Sequence, residues 1–335
     1  MKNSRIMIFG GTGSLGKTLI KRYTSNNKVS VFSRDESKHW TIRNEMGHEN
    51  LSFYVGDIRD KQRCLDAILN FQPTHIILAS ALKHVDVCER TPAESIKTNI
   101  TGIENVVNVI KENHQKLSEL DTVLMVSTDK ACSPINVYGM CKSIAERVVT
   151  SVSDLGLDTK FIAVRYGNVL ESRGSIIPLF KYQSEHKKEI TVTDERMTRY
   201  VMTLNESVDL IDTAMKKANT GETWIPNLPS MKVMDLAEIF SSISGKPIKV
   251  IGMRPGEKIH EDLINEAESM RAVPKGDYYA ICSSFTPPFQ SKDCVMKSDM
   301  SLMSKKDLSA RLKELRILEK NIDQFLGKTI EEIKK

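Results

Sequence analysis

Tyr138 and Lys142 stand four residues apart in Tyr138-Gly139-Met140-Cys141-Lys142, a spacing that puts both side chains on one face of a helix. A phenol near pKa 10 is a poor base at neutral pH, but a neighbouring ammonium favours its phenolate form. A tyrosine so placed can take the proton of a sugar or alcohol hydroxyl as hydride leaves the same carbon. Just upstream, Ser127-Thr128-Asp129-Lys130 offers a hydroxyl, a carboxyl and an amine in succession. Oxidising an alcohol needs only the hydroxyl. The adjoining acid and base fit a second reaction, an elimination of water, in which one group protonates a departing hydroxyl and the other removes a carbon-bound proton. The competing reading of Asp129 and Lys130 is an ordinary surface ion pair.

A departing hydride needs an acceptor, and the N-terminus is shaped to hold one. Gly10-Gly11-Thr12-Gly13-Ser14-Leu15-Gly16 follows the apolar run at 5–9 and leads into an amphipathic helix at 15–23. Glycines at 10, 13 and 16 allow a tight turn, close backbone approach to a ligand and helix–sheet packing, while the helix N-terminus supplies N–H donors to a pyrophosphate. After the second strand, where an acid would select NAD by accepting from the ribose 2′-hydroxyl, the chain carries Ser33 and Arg34, followed by Asp35 and Glu36. A guanidinium suits a 2′-phosphate, so the expected dinucleotide is NADP. Asp57 and Ile58 fall where this fold grips adenine, and Ala79, Ser80 and Ala81 run past the nicotinamide ribose.

The elements that must position these groups are legible as a rhythm. Apolar runs at 28–32, 51–55, 74–79, 122–127 and 161–164 alternate with helical patterns, which predicts a Rossmann-type, doubly wound parallel sheet of the α/β class. Asp60 is the expected cap of a helix at 62–70, and Pro92 opens a long helix at 93–111. Residues 1–165 are expected to form the dinucleotide-binding domain, with some later segments returning to it. Residues 166–285 are expected to make a smaller mixed α/β substrate lobe, and 286–335 a helical extension with an amphipathic pattern at 304–333. The 335 residues carry a net charge of +5, 40% apolar and 27% charged side chains, with Lys and Arg dispersed. That balance excludes a nucleic-acid scaffold and suits a small anionic ligand. Six cysteines without metal-ligand spacing predict free thiols and no metal site, and Cys132 and Cys141 read as small packing residues rather than nucleophiles. The absence of a leader and of a membrane-length apolar run predicts a cytoplasmic protein with no membrane contact.

These segments resemble the extended short-chain dehydrogenase/reductases that modify nucleotide sugars, and among them the soluble inverting UDP-N-acetylglucosamine 4,6-dehydratases (5-epimerising). The resemblance rests on GGTGSLG at 10–16, SRDE at 33–36, GDIRD at 56–60, SALKHV at 80–85, KTNITG at 97–102, STDKACSPINVYGMCK at 127–142, RYGNVLESRGSIIP at 165–178, TDERMTR at 193–199 and RPGEK at 254–258. It implies a tightly held NADP, with Tyr138 as base at sugar C4, Lys142 supporting it and Thr128 orienting the hydroxyl. Lys130 would remove the C5 proton, Asp129 would protonate the leaving C6 hydroxyl, and C5 would be reprotonated from the opposite face. It adds Lys83 and Asn99 to the cofactor site, and nominates Lys83, Asn168, Arg173, Gly174, Ser175, Thr193, Arg199, Arg254 and Glu257 for UDP-N-acetylglucosamine. A homo-oligomer, dimer or higher, is also implied. Ser80 and Asp86 depart from the Ala and Pro more usual in such proteins. Three alternatives compete: a membrane-bound retaining 4,6-dehydratase, which shares Thr-Asp-Lys but commonly has Met at the place of Tyr138; a nucleotide-sugar 4-epimerase; and a silent NADP-sensing scaffold.

Overall fold

The computed structural model describes residues 1–170, 172, 175–287 and 294–319. Six parallel strands, β1 (Arg5–Phe9), β2 (Lys28–Ser33), β3 (Leu51–Val55), β4 (His75–Leu78), β5 (Thr122–Val126) and β6 (Lys160–Val164), lie in the order β3-β2-β1-β4-β5-β6. The predicted doubly wound sheet is therefore present. Beyond β6 the sheet continues with Thr223–Pro226, parallel, and then Tyr278–Ile281 and Ala272–Pro274, antiparallel. Alternation along each strand divides the core between the two faces. Ile6 and Ile8 of β1 pack with Leu19 and Ile20 of α1 (Ser14–Tyr23) on one side. Met7 and Phe9 pack on the other with Ala67 and Ile68 of α3 (Lys61–Phe71), beyond α2 (Glu36–Met46) in the chain.

Strand order reverses between β1 and β4, and a doubly wound sheet opens its ligand crevice outside the carboxyl ends of the strands at that point. Asp60 caps α3 as expected, accepting from the Arg63 N–H at 2.9 Å. The long helix expected at 93–111 runs from Pro92 to Glu112 but is not a regular α-helix throughout. After the short α4 (Val85–Arg90), α5 (Pro92–Ile96) passes through a π-turn at Lys97–Thr101 into α6 (Gly102–Glu112). Hydrophobic periodicity cannot see one residue inserted in a turn, and such π-turns gather at functional sites. Here the turn holds a buried Asn99, whose amide pairs with both the N–H (2.8 Å) and C=O (2.9 Å) of Leu82, pinning the segment after β4.

A second core lies in the smaller lobe, where Ile177, Phe180, Ile190, Leu236 and Phe240 surround Leu308 and Leu312 of the helix Lys305–Glu314. That helix is the described part of the pattern at 304–333; residues 320–335 lie outside the described residues.

Gly10 carries the tightest constraint at the reversal point. Its φ is +85°, and a Cβ there would lie 2.7 Å from the Ser80 backbone nitrogen. Gly10→Ala is expected to cost about 1–3 kcal/mol in backbone strain before the collision with the segment after β4 is counted. Gly156, at φ +64° with nothing within 4 Å of a Cβ, provides the control. Thermal melts should show Gly10→Ala falling well below Gly156→Ala, and equal melts would show that the close approach is not a constraint.

Candidate active site

An elongated cavity of about 820 Å³ runs along the carboxyl edge of the sheet. One end is lined by Gly10, Thr12, Gly13, Ser14, Leu15 and Gly16. Gly13 caps α1 and has no side chain of its own to place over the first N–H groups of the helix. Ser33, Arg34, Asp57 and Ile58 line the same end, and Ala79, Ser80, Ala81 and Lys83 continue along the floor. Of the expected cofactor residues, Asn99 is the exception: among the described residues it is not on the cavity wall and acts through Leu82.

The residues after β2 divide their work. Asp35 caps α2, accepting from the Lys38 N–H at 3.1 Å and ion-pairing with its ammonium at 2.5 Å. Ser33 Oγ is hydrogen-bonded to His39 Nε2 at 2.7 Å. Arg34 stays 58% exposed, 3.7 Å from Asp57, so its guanidinium remains at the cavity mouth. Lys38, which the sequence reading passed over, lines the mouth as a second cation.

The reacting groups sit where β5 ends. Thr128, Asp129, Lys130, Tyr138 and Lys142 all face the cavity. Asp129 to Ala131 form a single tight turn, and α7 (Val137–Thr150) lies directly on it. Gly139 permits that approach, since a Cβ there would stand 2.1 Å from the Lys130 carbonyl oxygen. Asn136 caps α7 by accepting from Gly139 N–H at 2.8 Å and donates to Gly256 C=O at 2.8 Å, tying the Tyr138 helix to the loop of Arg254 and Glu257.

Asp129 and Lys130 are not a surface pair. Asp129 is 1% exposed, and Lys130 Nζ lies 3.1 Å from its Oδ1. The Thr128 hydroxyl donates to the same Oδ1 at 2.9 Å and accepts from the Lys130 N–H at 3.4 Å, which leaves its oxygen one lone pair to accept from a second hydroxyl. Lys130 Nζ also lies 3.1 Å from Glu261 Oε1, a buried carboxylate far along the chain that the sequence reading missed. Burial alone would lower the Lys130 pKa, but Asp129 and Glu261 outweigh it and hold the ammonium above its usual range. Burial pushes the Tyr138 phenol up, helped by Asp129, and a hydrogen bond shared with Thr128 offsets only part of this. Lys142 donates to the Val126 carbonyl at 2.6 Å, and burial lowers its pKa to about 8 against the pull of Glu146.

A buried guanidinium braces this arrangement. Arg165, on the segment leaving β6, bonds Glu146 of α7 at 2.6 Å and Glu268 at 2.8 Å. Cys132 Sγ donates to Glu268 at 3.3 Å, and burial raises its pKa, as it does that of Cys141. Neither is poised as a thiolate. All six cysteines are free, and among the described residues no group of His, Cys, Asp or Glu could hold a metal.

Among the expected substrate residues, Lys83, Asn168, Ser175, Arg254 and Glu257 line the cavity. Asn168 Oδ1 is buried with no hydrogen-bond partner among the described residues, an acceptor suited to a ligand. Glu257 accepts from the Arg254 N–H at 2.9 Å, ordering the loop that presents both. Two others stand away from the cavity. Thr193 is off the described wall, its hydroxyl 3.1 Å from Met197 Sδ. Arg199 is also off it and nearly buried, its guanidinium spent on the carbonyl oxygens of Thr198 (2.7 Å), Ile259 (3.0 Å) and Lys258 (2.9 Å). A diphosphate-like charge in the sequence is here a structural clamp. Arg173 and Gly174 lie outside the described residues.

No helix among the described residues is long and apolar enough to cross a membrane. The chain is 38% identical over 294 residues to a UDP-N-acetylglucosamine 4,6-dehydratase (inverting) of Campylobacter jejuni, covering 86% of this chain and 85% of that one. It is 37% identical over 286 residues to a UDP-glucose 4-epimerase of Rickettsia typhi, covering 82% of each. Among solved structures, Pen from Bacillus thuringiensis superposes with a TM-score of 0.86 at 34% identity, over 94% of this chain and 99% of that one. The family described as "Polysaccharide biosynthesis protein" matches residues 6–283, which take in the glycine turn, the Thr128 to Lys142 cluster and the Arg254 loop together. With this fold and this site, the chain belongs to that family, on the extended short-chain dehydrogenase/reductase scaffold.

Proposed function

We propose that the chain is an inverting UDP-N-acetylglucosamine 4,6-dehydratase, forming UDP-2-acetamido-2,6-dideoxy-β-L-arabino-hexos-4-ulose. The observation that carries this reading is the buried acid–base pair, Lys130 Nζ 3.1 Å from Asp129 Oδ1, on the same cavity wall as Tyr138. A 4-epimerase, the name of the Rickettsia relative, moves hydride at C4 alone and has no elimination for that pair to perform.

Tyr138 takes the proton of the C4 hydroxyl, which Thr128 orients as acceptor, and Lys142 supports the phenolate. The 4-ketone so formed acidifies the C5 proton. A proton shift from the Lys130 ammonium to the Asp129 carboxylate yields an amine and a carboxylic acid, the two forms an elimination needs. Lys130 then removes the C5 proton while Asp129 protonates the C6 hydroxyl, which leaves as water. Gly10 to Gly16 would hold NADP, with Arg34 and Lys38 toward its 2′-phosphate, and the nicotinamide would supply the store for the C4 hydride until its return to C6. C5 then takes a proton of solvent origin on the opposite face, which completes the inversion. Residues 1–165 would serve chiefly that cofactor and 166–285 the sugar nucleotide, whose diphosphate Arg254 is placed to meet.

Incubation with UDP-N-acetylglucosamine in deuterated water tests the reading by NMR. The expected product is a 4-keto-6-deoxy sugar with deuterium at an inverted C5; inversion at C4 alone, or no turnover, would defeat it. For the cofactor, Arg34→Ala is expected to weaken NADP about tenfold or more and leave NAD nearly unchanged, since a charge-assisted bond to a 2′-phosphate contributes about 1.5–3 kcal/mol. Equal losses for the two dinucleotides would remove Arg34 from the selection.

A further inference from the structure

Glu261 has no part in the chemistry described above, yet its placement is costly. It is 2% exposed, precedes the strand Asp262–Ile264, and reaches Lys130 Nζ at 3.1 Å. Its second oxygen, Oε2, is buried with no hydrogen-bond partner among the described residues. Burying a carboxylate this way gives little stability, and an apolar side chain of similar volume is often no worse. Its surroundings are nonetheless built to hold it. The Glu261 N–H donates to Ser298 Oγ at 2.9 Å, and the Ser298 N–H donates back to the Glu261 carbonyl at 2.8 Å. Arg199 fixes the carbonyls of Lys258 and Ile259 just upstream, with its Nε 3.8 Å from Glu261 Oε1. The clamp that the sequence had suggested for a substrate phosphate is therefore spent on the segment carrying Glu261.

We propose that Glu261 is a positioning residue for Lys130: its carboxylate fixes Nζ beside Asp129 from a distant segment of the chain and sets the pH at which that nitrogen gives up its proton. The inference rests on Lys130 being the C5 base, but its test does not need turnover. The charged groups facing the pair are few. Asp129 lies on Lys130's own turn, Glu261 and Arg199 approach from later segments of the chain, and the Tyr138 and Tyr200 phenols face Asp129. Lys258 with Asp262 (3.2 Å) and His260 with Asp299 (3.9 Å) pair with each other beside them. Two carboxylates against one nearby guanidinium leave Lys130 the cation that closes the balance. An opposite charge at this range typically moves a pKa by roughly one to three units toward the charged form. Removing it must move Lys130 down.

The ionisation of Lys130 can be read directly in the whole protein by competitive acylation with acetic anhydride across pH, quantified on the Lys130 peptide by mass spectrometry. Glu261→Gln, which keeps the shape and one acceptor but not the charge, is expected to shift the labelling midpoint down by one unit or more. Glu261→Asp keeps the charge but shortens the reach. It should leave the midpoint near the parent's and lower C5 deuterium uptake about tenfold through misplacement of Nζ. An unchanged midpoint in Glu261→Gln overturns the proposal. Should that variant fail to fold, Glu261→Asp decides alone, and parental C5 uptake in it would equally overturn the positioning role. If Lys130→Arg retained C5 uptake, Lys130 would not be the base. The labelling shift would still report whether Glu261 governs its proton.

Discussion

Lys130→Arg is expected to lower C5 deuterium uptake by about 10²–10⁴-fold, the range a positioned general base supplies, while leaving the fold and the first oxidation in place. The choice of arginine follows from the site. Lys130 Nζ stands 3.1 Å from both Asp129 and Glu261, and removing the cation would leave two buried carboxylates facing each other. Breaking a buried pair in that way costs about 3–5 kcal/mol when both partners are fully enclosed. Lys130 keeps 21% exposure and would lose less, but Lys130→Met would still confound catalysis with stability. A guanidinium preserves the charge and cannot give up its proton in a protein, so it separates the two. In a single turnover, reduced dinucleotide should build up and persist, because C4 is oxidised but the sugar cannot proceed to elimination. Rapid C5 exchange in Lys130→Arg would instead place the base elsewhere.

What the sequence made legible was local. The glycine turn, the Asp60 cap, the strands around it and the four-residue spacing of Tyr138 and Lys142 each depend on neighbours in the chain, and each is found where its residue types require. What it hid was contact at long range. Glu261 is 131 positions from Lys130, Arg165 reaches Glu268 across 103 positions, and neither partner carries a pattern that names the other. Arg199 shows the converse. An arginine has the chemistry of a ligand for a sugar nucleotide, but only the fold reveals that backbone carbonyls accept from its donors. Asn99 is similar: a polar residue expected at the cofactor turns out to hold Leu82, because a π-turn that no periodicity records directs it inward. One signal was available and unused. Lys38 follows Arg34 by four residues at the start of a helix capped by Asp35, which places a second cation at the same mouth.

Tyr138→Phe should remove the first step, lowering C4 oxidation about 10²–10⁴-fold with substrate and dinucleotide affinity little changed, since only the phenolic oxygen is lost. The pH dependence of the parent gives the more searching test. Burial holds the Tyr138 phenol above its ordinary pKa, so the resting group is protonated at neutral pH and the rate of C4 oxidation should rise as pH rises. Lys142 has the opposite sign. Burial lowers its pKa to about 8, so it is charged below that pH and neutral above it. Once its charge is gone, the loss of that cation offsets the gain from further deprotonation, and the rate should stop rising. The expected profile climbs with pH and levels off near pH 8. Lys142→Met should therefore do two things at once: depress the rate, because no cation favours the phenolate, and abolish the levelling, because nothing remains to discharge. A variant with a lowered rate and an unchanged break near pH 8 would show that some other group titrates there, and that Lys142 serves the site only through its bond to the Val126 carbonyl.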